Sequence, residues 1–191
     1  MRIGIVVDLN HPDGKKFYDS LKELLTTLSD GKNDVFLLTL GNRTSKTQRG
    51  AQLDYVACSN SFFPFLFPLR VKGFFEILDG MRLDMIHLLD QSALSKLMLN
   101  YSIKRNLPLL LTVNPYEMEG MKKSHAFLYD AQHHYFFYFI HSVLENQGIL
   151  SCLGNESYDE FRDFGFTESI GLFSSKQELM ELYERARMQN I

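Results

Sequence analysis

The sequence has no tryptophan, only two cysteines and no apolar run near the roughly 20 residues a membrane-spanning helix needs. Cys58 and Cys152 are too few for a disulfide framework or a four-ligand zinc site, which points to a reducing, cytoplasmic setting. Positive charge is not in excess. Twenty Lys and Arg face 23 Asp and Glu for a net charge of -3, which argues against nucleic acid as a partner. The opening Met1-Arg2-Ile3-Gly4-Ile5-Val6-Val7-Asp8 carries neither a long apolar core nor a small-residue cleavage site, so it is not read as a secretory signal. Neither a dinucleotide G-x-G-x-x-G nor a Walker loop occurs, and there is no G-x-S-x-G elbow for a serine nucleophile. Internal repeats, low-complexity tracts and obvious linkers are also lacking.

What is present is an ordinary globular composition, 45% hydrophobic and 23% charged over 191 residues, enough for one self-sufficient domain spanning 1–191. Its apolar residues are arranged in alternating periods. Ile3, Ile5, Val6 and Val7 form a β-branched run that stops at a polar turn. Phe17, Leu21, Leu24, Leu25 and Leu28 follow at helical spacing, and 35–40 is a second apolar strand, so the first 40 residues predict one right-handed βαβ unit.

Short strands are predicted at 54–58, 84–89, 108–113, 148–153 and 169–173. The intervening helices are predicted at 69–80, across Leu94, Leu97, Met98 and Tyr101, at 126–146 and at 156–164. Ser175 with Glu178 reads as a capping box for a closing helix that buries Leu179, Leu182, Tyr183 and Ala186. The predicted class is therefore α/β, a doubly wound, mostly parallel sheet with helices on both faces.

In such sheets ligands bind beyond the carboxyl ends of the strands, which here means the polar loops 8–15, 87–92, 114–124 and 154–156. Asp13-Gly14-Lys15 stands before a helix, where free N–H groups, a glycine and a lysine suit a phosphate. His87 and Asp90 flank a strand end and could orient a sugar hydroxyl or form a base pair of Asp and His, although a histidine there also serves as a buried hydrogen bonder. Asn114 and Glu117 follow the next strand and suit a polyol, while Asn-Pro also starts turns. His133, His134 and His141 lack a carboxylate at ligand spacing, so no metal is predicted.

Two aromatic clusters hold much of the 16 Phe and 9 Tyr. The run Tyr135-Phe136-Phe137-Tyr138-Phe139-Ile140 reads as core with one side left for a partner. Phe62-Phe63-Pro64-Phe65-Leu66-Phe67-Pro68 cannot be a central strand or helix. It either packs on the sheet or, with Arg70 and Lys72, makes peripheral contact with a membrane.

Four stretches, in order, resemble the amino-terminal half of a GT-B glycosyltransferase, most closely the family-4 (glycosyl transferases group 1) type. The opening strand leads through Pro12-Asp13-Gly14 to Asn33-Asp34-Val35-Phe36-Leu37-Leu38-Thr39, similar to that family's "GHEVxVxT". Leu83-Asp84-Met85-Ile86-His87-Leu88-Leu89-Asp90 resembles "PDVVHxHD", and Leu107-Pro108-Leu109-Leu110-Leu111-Thr112-Val113-Asn114 resembles "IPVVVTVH". Residues 149–165, with Glu156, Glu160 and Phe164-Gly165, are similar to "VIxxSxxxxxxLxxxG".

Against the family, Gly-Gly of the first loop is Asp13-Gly14, the histidine after the "TV" strand is Asn114, and the serine after the "VI" strand falls near Gly154-Asn155. The half that bears the family's E-x7-E carboxylates is not in the sequence. The resemblance implies an acceptor-binding domain of a sugar-nucleotide-dependent glycosyltransferase in glycan or polysaccharide biosynthesis. Asp13, Gly14 and Lys15 would face the donor's phosphates. His87, Asp90, Asn114 and Glu117 would contact the acceptor or the transferred sugar, and Asn155 and Glu156 would line the far wall. The nucleotide sugar is a substrate, and no cofactor or metal is implied. An isolated first domain has half a cleft, so it would be incomplete alone and would work with a donor-binding domain or partner chain, as in the two-subunit N-acetylglucosamine transferase of N-glycan assembly. The alternative is a non-catalytic Rossmann-like interaction module that forms a homodimer or pairs with another protein.

Overall fold

The β-branched run at the amino terminus becomes the middle of the sheet. Strand β1 (Arg2–Val6) pairs in parallel with β2 (Asp34–Gly41) on one side and β5 (Met85–Leu88) on the other. This computed structural model describes residues 1–29, 32–41, 45–49, 53–59, 71–123, 126–166 and 169–189. The aromatic-proline segment 62–68 and Arg70 lie outside the described residues. β3 (Ser45–Arg49) and β4 (Leu53–Ser59) extend the β2 side. β6 (Leu109–Thr112), β7 (Ile149–Leu153) and β8 (Gly171–Phe173) extend the β5 side. The resulting eight-stranded order is β3-β4-β2-β1-β5-β6-β7-β8. All pairings are parallel except that of β3 with β4. The doubly wound α/β class is thus found, and the strand order reverses between β1 and β5, where such sheets open a crevice.

Alternation along the strands divides the core in two. Ile3, Ile5 and Val7 point to one face, where α1 (Pro12–Leu28) and α7 (Lys176–Gln189) cover them with Phe17, Leu21, Leu25, Leu179, Leu182 and Tyr183. Val6, Leu38, Ile86 and Leu111 point to the other, under α2 (Val71–Met81), α3 (Ala93–Arg105) and α5 (Ala126–Glu145). The phenylalanine excess is largely spent on this second face. Phe137 stacks on Phe166 at 4.0 Å and Phe161 on Phe166 at 4.4 Å. Tyr138 and Leu128 of α5 remain 63% and 50% exposed. Among the described residues no helix is long and apolar enough to cross a membrane.

The closing helix starts as its capping box predicts. Glu178 Oε2 accepts from the amides of Ser174 at 2.7 Å and Ser175 at 3.1 Å, and Glu178 N donates to Ser175 Oγ at 3.3 Å.

Three local expectations are corrected. The polar stretch 114–124 is not a loop, because Pro115–Lys122 forms α4. Asn114 caps it by accepting from Tyr116 N at 3.0 Å, and proline at the first turn needs no amide partner. Residues 154–156 are likewise not a loop. Gly154, at φ +70°, lets α6 (Gly154–Asp163) begin directly after β7. The edge strand β3 is an addition, drawn from a polar sequence without apolar alternation.

Candidate functional site

Two loops are sewn together at the reversal point. After β1, the Asp8 amide donates to Asp90 Oδ2, while Asp8 Oδ1 accepts from Asn10 N at 2.9 Å in a local turn. After β5, Asp90 Oδ1 accepts from Ser92 N at 3.1 Å, from Ser92 Oγ at 2.7 Å and from Ser95 Oγ. Asp90 is 2% exposed, and burial pushes its carboxyl up from the ordinary range while these donors pull it down. Ser92 also caps α3 through its hydroxyl. Asn114, at the end of β6, reaches across to α1 and donates from Nδ2 to Asp13 O at 3.4 Å.

These ties leave a cleft of about 460 Å³ beyond the ends of β1, β5 and β6, a size within the ordinary range for small-ligand sites. His11 and Asp13 line it from the start of α1, Gln91 from the loop after β5, Glu117 and Gly120 from α4, and Gln132 and Tyr135 from α5. Tyr135 Oη donates to Gln91 O at 3.3 Å and sets the ring against the opening. Glu117 Oε1 accepts from Gln91 N at 3.4 Å. Burial raises the Glu117 carboxyl well above the usual range, and the negative charges of Asp90 and Asp13 add to that.

The structure brings together Asp13, Asp90, Asn114 and Glu117, the first and last on the cleft surface and the middle two as its braces. The other predicted residues fall elsewhere. Lys15 is exposed on the second turn's edge of α1 and is not among the cleft-lining residues. Gly14 is buried against its own chain, since a Cβ there would lie 2.6 Å from Asp8 O. Its bareness serves loop packing. Gly14→Ala is therefore expected to lower the unfolding free energy by about 1–3 kcal/mol through overpacking, read by urea denaturation. A stable Gly14→Ala protein that had lost only ligand binding would return this glycine to a phosphate cradle.

Asn155 is exposed on α6. Glu156 lines a separate hollow of about 280 Å³ with Phe17, Tyr116, Glu119 and Glu160, on the far side of α4.

His87 is fully buried in the core between β5 and α7, away from the cleft lining. Its Nδ1 lies 2.9 Å from Tyr183 Oη and its Nε2 2.5 Å from Thr112 Oγ1. Thr112 Oγ1 is 2.7 Å from Ser151 Oγ, which donates to Leu111 O at 3.4 Å. Counting protons settles the tautomer. If Tyr183 donates to Nδ1, then Nε2–H donates to Thr112, Thr112 to Ser151 and Ser151 to the carbonyl, so every group is served. The reverse tautomer strands the Tyr183 proton. Burial holds the imidazole down at about 3, so the ring is neutral.

Sequence reasoning missed Gln91, Gly120, Gln132 and Tyr135. Gln132 and Tyr135 are three apart on α5 and so share a helix face, and Gln91 adjoins Asp90; both signals were readable. Gly120 lay inside a segment read as loop. Among the described residues no group of three or more His, Cys, Asp or Glu side chains is arranged to hold a metal ion. No protein-family model matches this sequence, and neither does any curated protein.

Proposed function

We propose that this chain is the acceptor-binding domain of a sugar-nucleotide-dependent glycosyltransferase of GT-B type, acting in glycan or polysaccharide biosynthesis beside a donor-binding domain or partner chain. The reading is supported above all by the lining of the cleft at the strand-order reversal. Asp13, Gln91, Glu117 and Gln132 offer planar amides and carboxylates around the ring of Tyr135. Planar polar groups match the paired hydroxyls of a sugar, and an aromatic ring beside them suits the apolar C–H face. No lysine or arginine is among the described residues lining the cleft, so it suits the uncharged or cationic acceptor rather than the donor's diphosphate. The diphosphate belongs, on this reading, to the second half of the transferase.

Transfer joins an acceptor hydroxyl oxygen to the donor's anomeric carbon as the nucleoside diphosphate leaves, and the hydroxyl proton passes to a base. This domain's contribution is to hold the acceptor in place for that step, which half a cleft cannot complete by itself.

Titration of the chain with mono- and oligosaccharides, followed by calorimetry or by NMR shifts of Tyr135 and Gln132, is expected to give saturable binding at this cleft. Nucleotide sugars are expected to bind weakly until a donor-binding partner is added. Absence of glycan binding both with and without such a partner would remove the proposal.

A further inference from the structure

We propose that the ligand of this cleft carries a protonated amine, as an amino-sugar residue does, and that Glu117 and Asp13 hold the ammonium group while Gly120 leaves room for the ring that bears it. The inference rests on the acceptor-binding reading and narrows it to one class of sugar.

The two carboxylates deepest at the reversal point are treated very differently by the fold. Asp90 receives the amides of Asp8 and Ser92 and the hydroxyls of Ser92 and Ser95. Among the described residues Glu117 receives one long bond, from Gln91 N at 3.4 Å, and it lines the cleft. A carboxylate drawn out of water needs donors or a counter-charge, and the described residues supply little of either to Glu117.

The cations nearby are committed elsewhere. Lys16 Nζ sits 3.8 Å over the Tyr116 ring. Lys122 pairs with Glu160 at 3.0 Å and Lys123 with Glu119 at 2.5 Å. Lys96 lies 5.6 Å from the Tyr135 ring and 6.0 Å from that of Tyr138. Among the described residues His11 faces Asp13, with Nδ1 at 3.9 Å from Oδ2, and Lys123 is felt by Asp13 through its charge while paired with Glu119. Asp13, Asp90 and Glu117 thus repel one another around a concavity with no lysine or arginine among its described lining residues. An ammonium group with three N–H donors answers that charge and serves the free carboxylate oxygens.

Gly120 is an independent sign that something enters. It lies inside α4 with no left-handed backbone angle to demand glycine, although glycine is among the poorest helix formers. A Cβ there would come to 3.3 Å from Asp13 Oδ2, on the wall of the cleft. Local helix propensity has been given up at the position where a methyl group would crowd the acidic rim.

The test is calorimetric titration of the full chain with methyl glucosaminide, methyl glucoside and methyl N-acetylglucosaminide. The free amine is expected to bind about tenfold tighter than either neutral glycoside, a charge-assisted bond's share of affinity. Glu117→Gln and, separately, Asp13→Asn should erase that preference, so that the free amine binds no tighter than the neutral glycosides. Gly120→Ala should weaken all three ligands in a protein that still folds. Asp13, half exposed at the rim, keeps the test open should Glu117→Gln fail to fold. Equal affinity for amine and neutral glycosides would overturn this inference and leave the acceptor reading standing. An amine preference that survives both carboxylate substitutions would overturn the assignment of Glu117 and Asp13. Failure of all three glycosides to bind, both alone and with a donor-binding partner present, would sink the acceptor reading together with it.

Discussion

Glu117→Gln is expected to stabilise the folded protein by about 1–3 kcal/mol near pH 8, the scale on which burying a poorly paired charged group is felt. The sign follows from the raised carboxyl. In the unfolded chain Glu117 ionises around its ordinary value of 4.5, while in the fold it keeps its proton to a higher pH. Across that interval the folded state binds more protons than the unfolded state, so the wild-type protein loses stability as pH rises. The loss begins near 4.5 and is complete above the folded value. Glutamine has no such titration, yet its amide oxygen can still accept from Gln91 N. The gain should therefore be near zero at pH 4 and grow toward neutrality. Urea denaturation of both proteins across pH 4–8 measures it. A Glu117→Gln protein less stable at every pH would mean that the fold itself supplies the counter-charge, and the cleft would lose its claim to an unsatisfied carboxylate. Gain of stability with loss of ligand is the usual trade at a binding site, where the free protein retains groups that only its partner satisfies.

The second large effect lies in the core under α7 and has the opposite slope. His87 is neutral in the fold, held down from 6.5 to about 3, whereas in the unfolded chain it titrates normally. Between those values the unfolded state binds the extra proton. This contribution is therefore full above pH 6.5 and falls, as pH drops toward 3, by up to about 1.4 kcal/mol per unit. His87→Gln should flatten that part of the profile between pH 4 and 6. The contributions of Asp90 and Glu117 are common to both proteins and cancel in the difference. Tyr183→Phe keeps the ring packing but removes the proton donated to Nδ1. It should cost about 1–3 kcal/mol at neutral pH, the penalty for a buried acceptor left unserved. Indistinguishable acid limbs for wild type and His87→Gln, together with an unaffected Tyr183→Phe, would refute the neutral relay from Tyr183 to Ser151. The same pair of variants distinguishes roles at the strand ends, because neither should alter glycan affinity at a cleft that His87 does not line.

How far the sequence could be read depended on how local each signal was. Ile3, Ile5 and Val7 against Gly4 and Val6 declared a strand buried on both faces, and the structure divides those side chains between the two cores. Ser175 and Glu178 announced a helix start through bonds that span only three residues. The segment 115–122 was harder. Only Met118 and Met121 of α4 are buried, and Gly120 and Pro115 read as breakers when met in isolation. What makes it a helix is the Asn114 cap and the docking of two methionines, the second of which no local pattern reveals. β3 is likewise held by a neighbouring strand rather than by its own apolar alternation.

The candidate site divides along the same line. That polar residues after β1, β5 and β6 would gather follows from strand order, and Asp13, Asp90, Asn114 and Glu117 do gather. Which of them face outward is a matter of tertiary geometry. His87 and Asp90 are three apart in a motif that looks like one unit, yet one points into the core to Tyr183 and the other stays at the reversal point among four donors. Gly14 and Gly120 look alike on paper. One is filled by the backbone of Asp8 and the other opens onto the cleft.

From sequence alone came the alternation of strands and helices, the apolar faces and the helix caps, because each is set by neighbours within a few residues along the chain. The cleft, the tautomer of His87 and the unequal treatment of Asp90 and Glu117 were decided only in three dimensions. They depend on which donors, from strands 80 or more residues apart, arrive at a given oxygen, as the Asp8 amide does at Asp90.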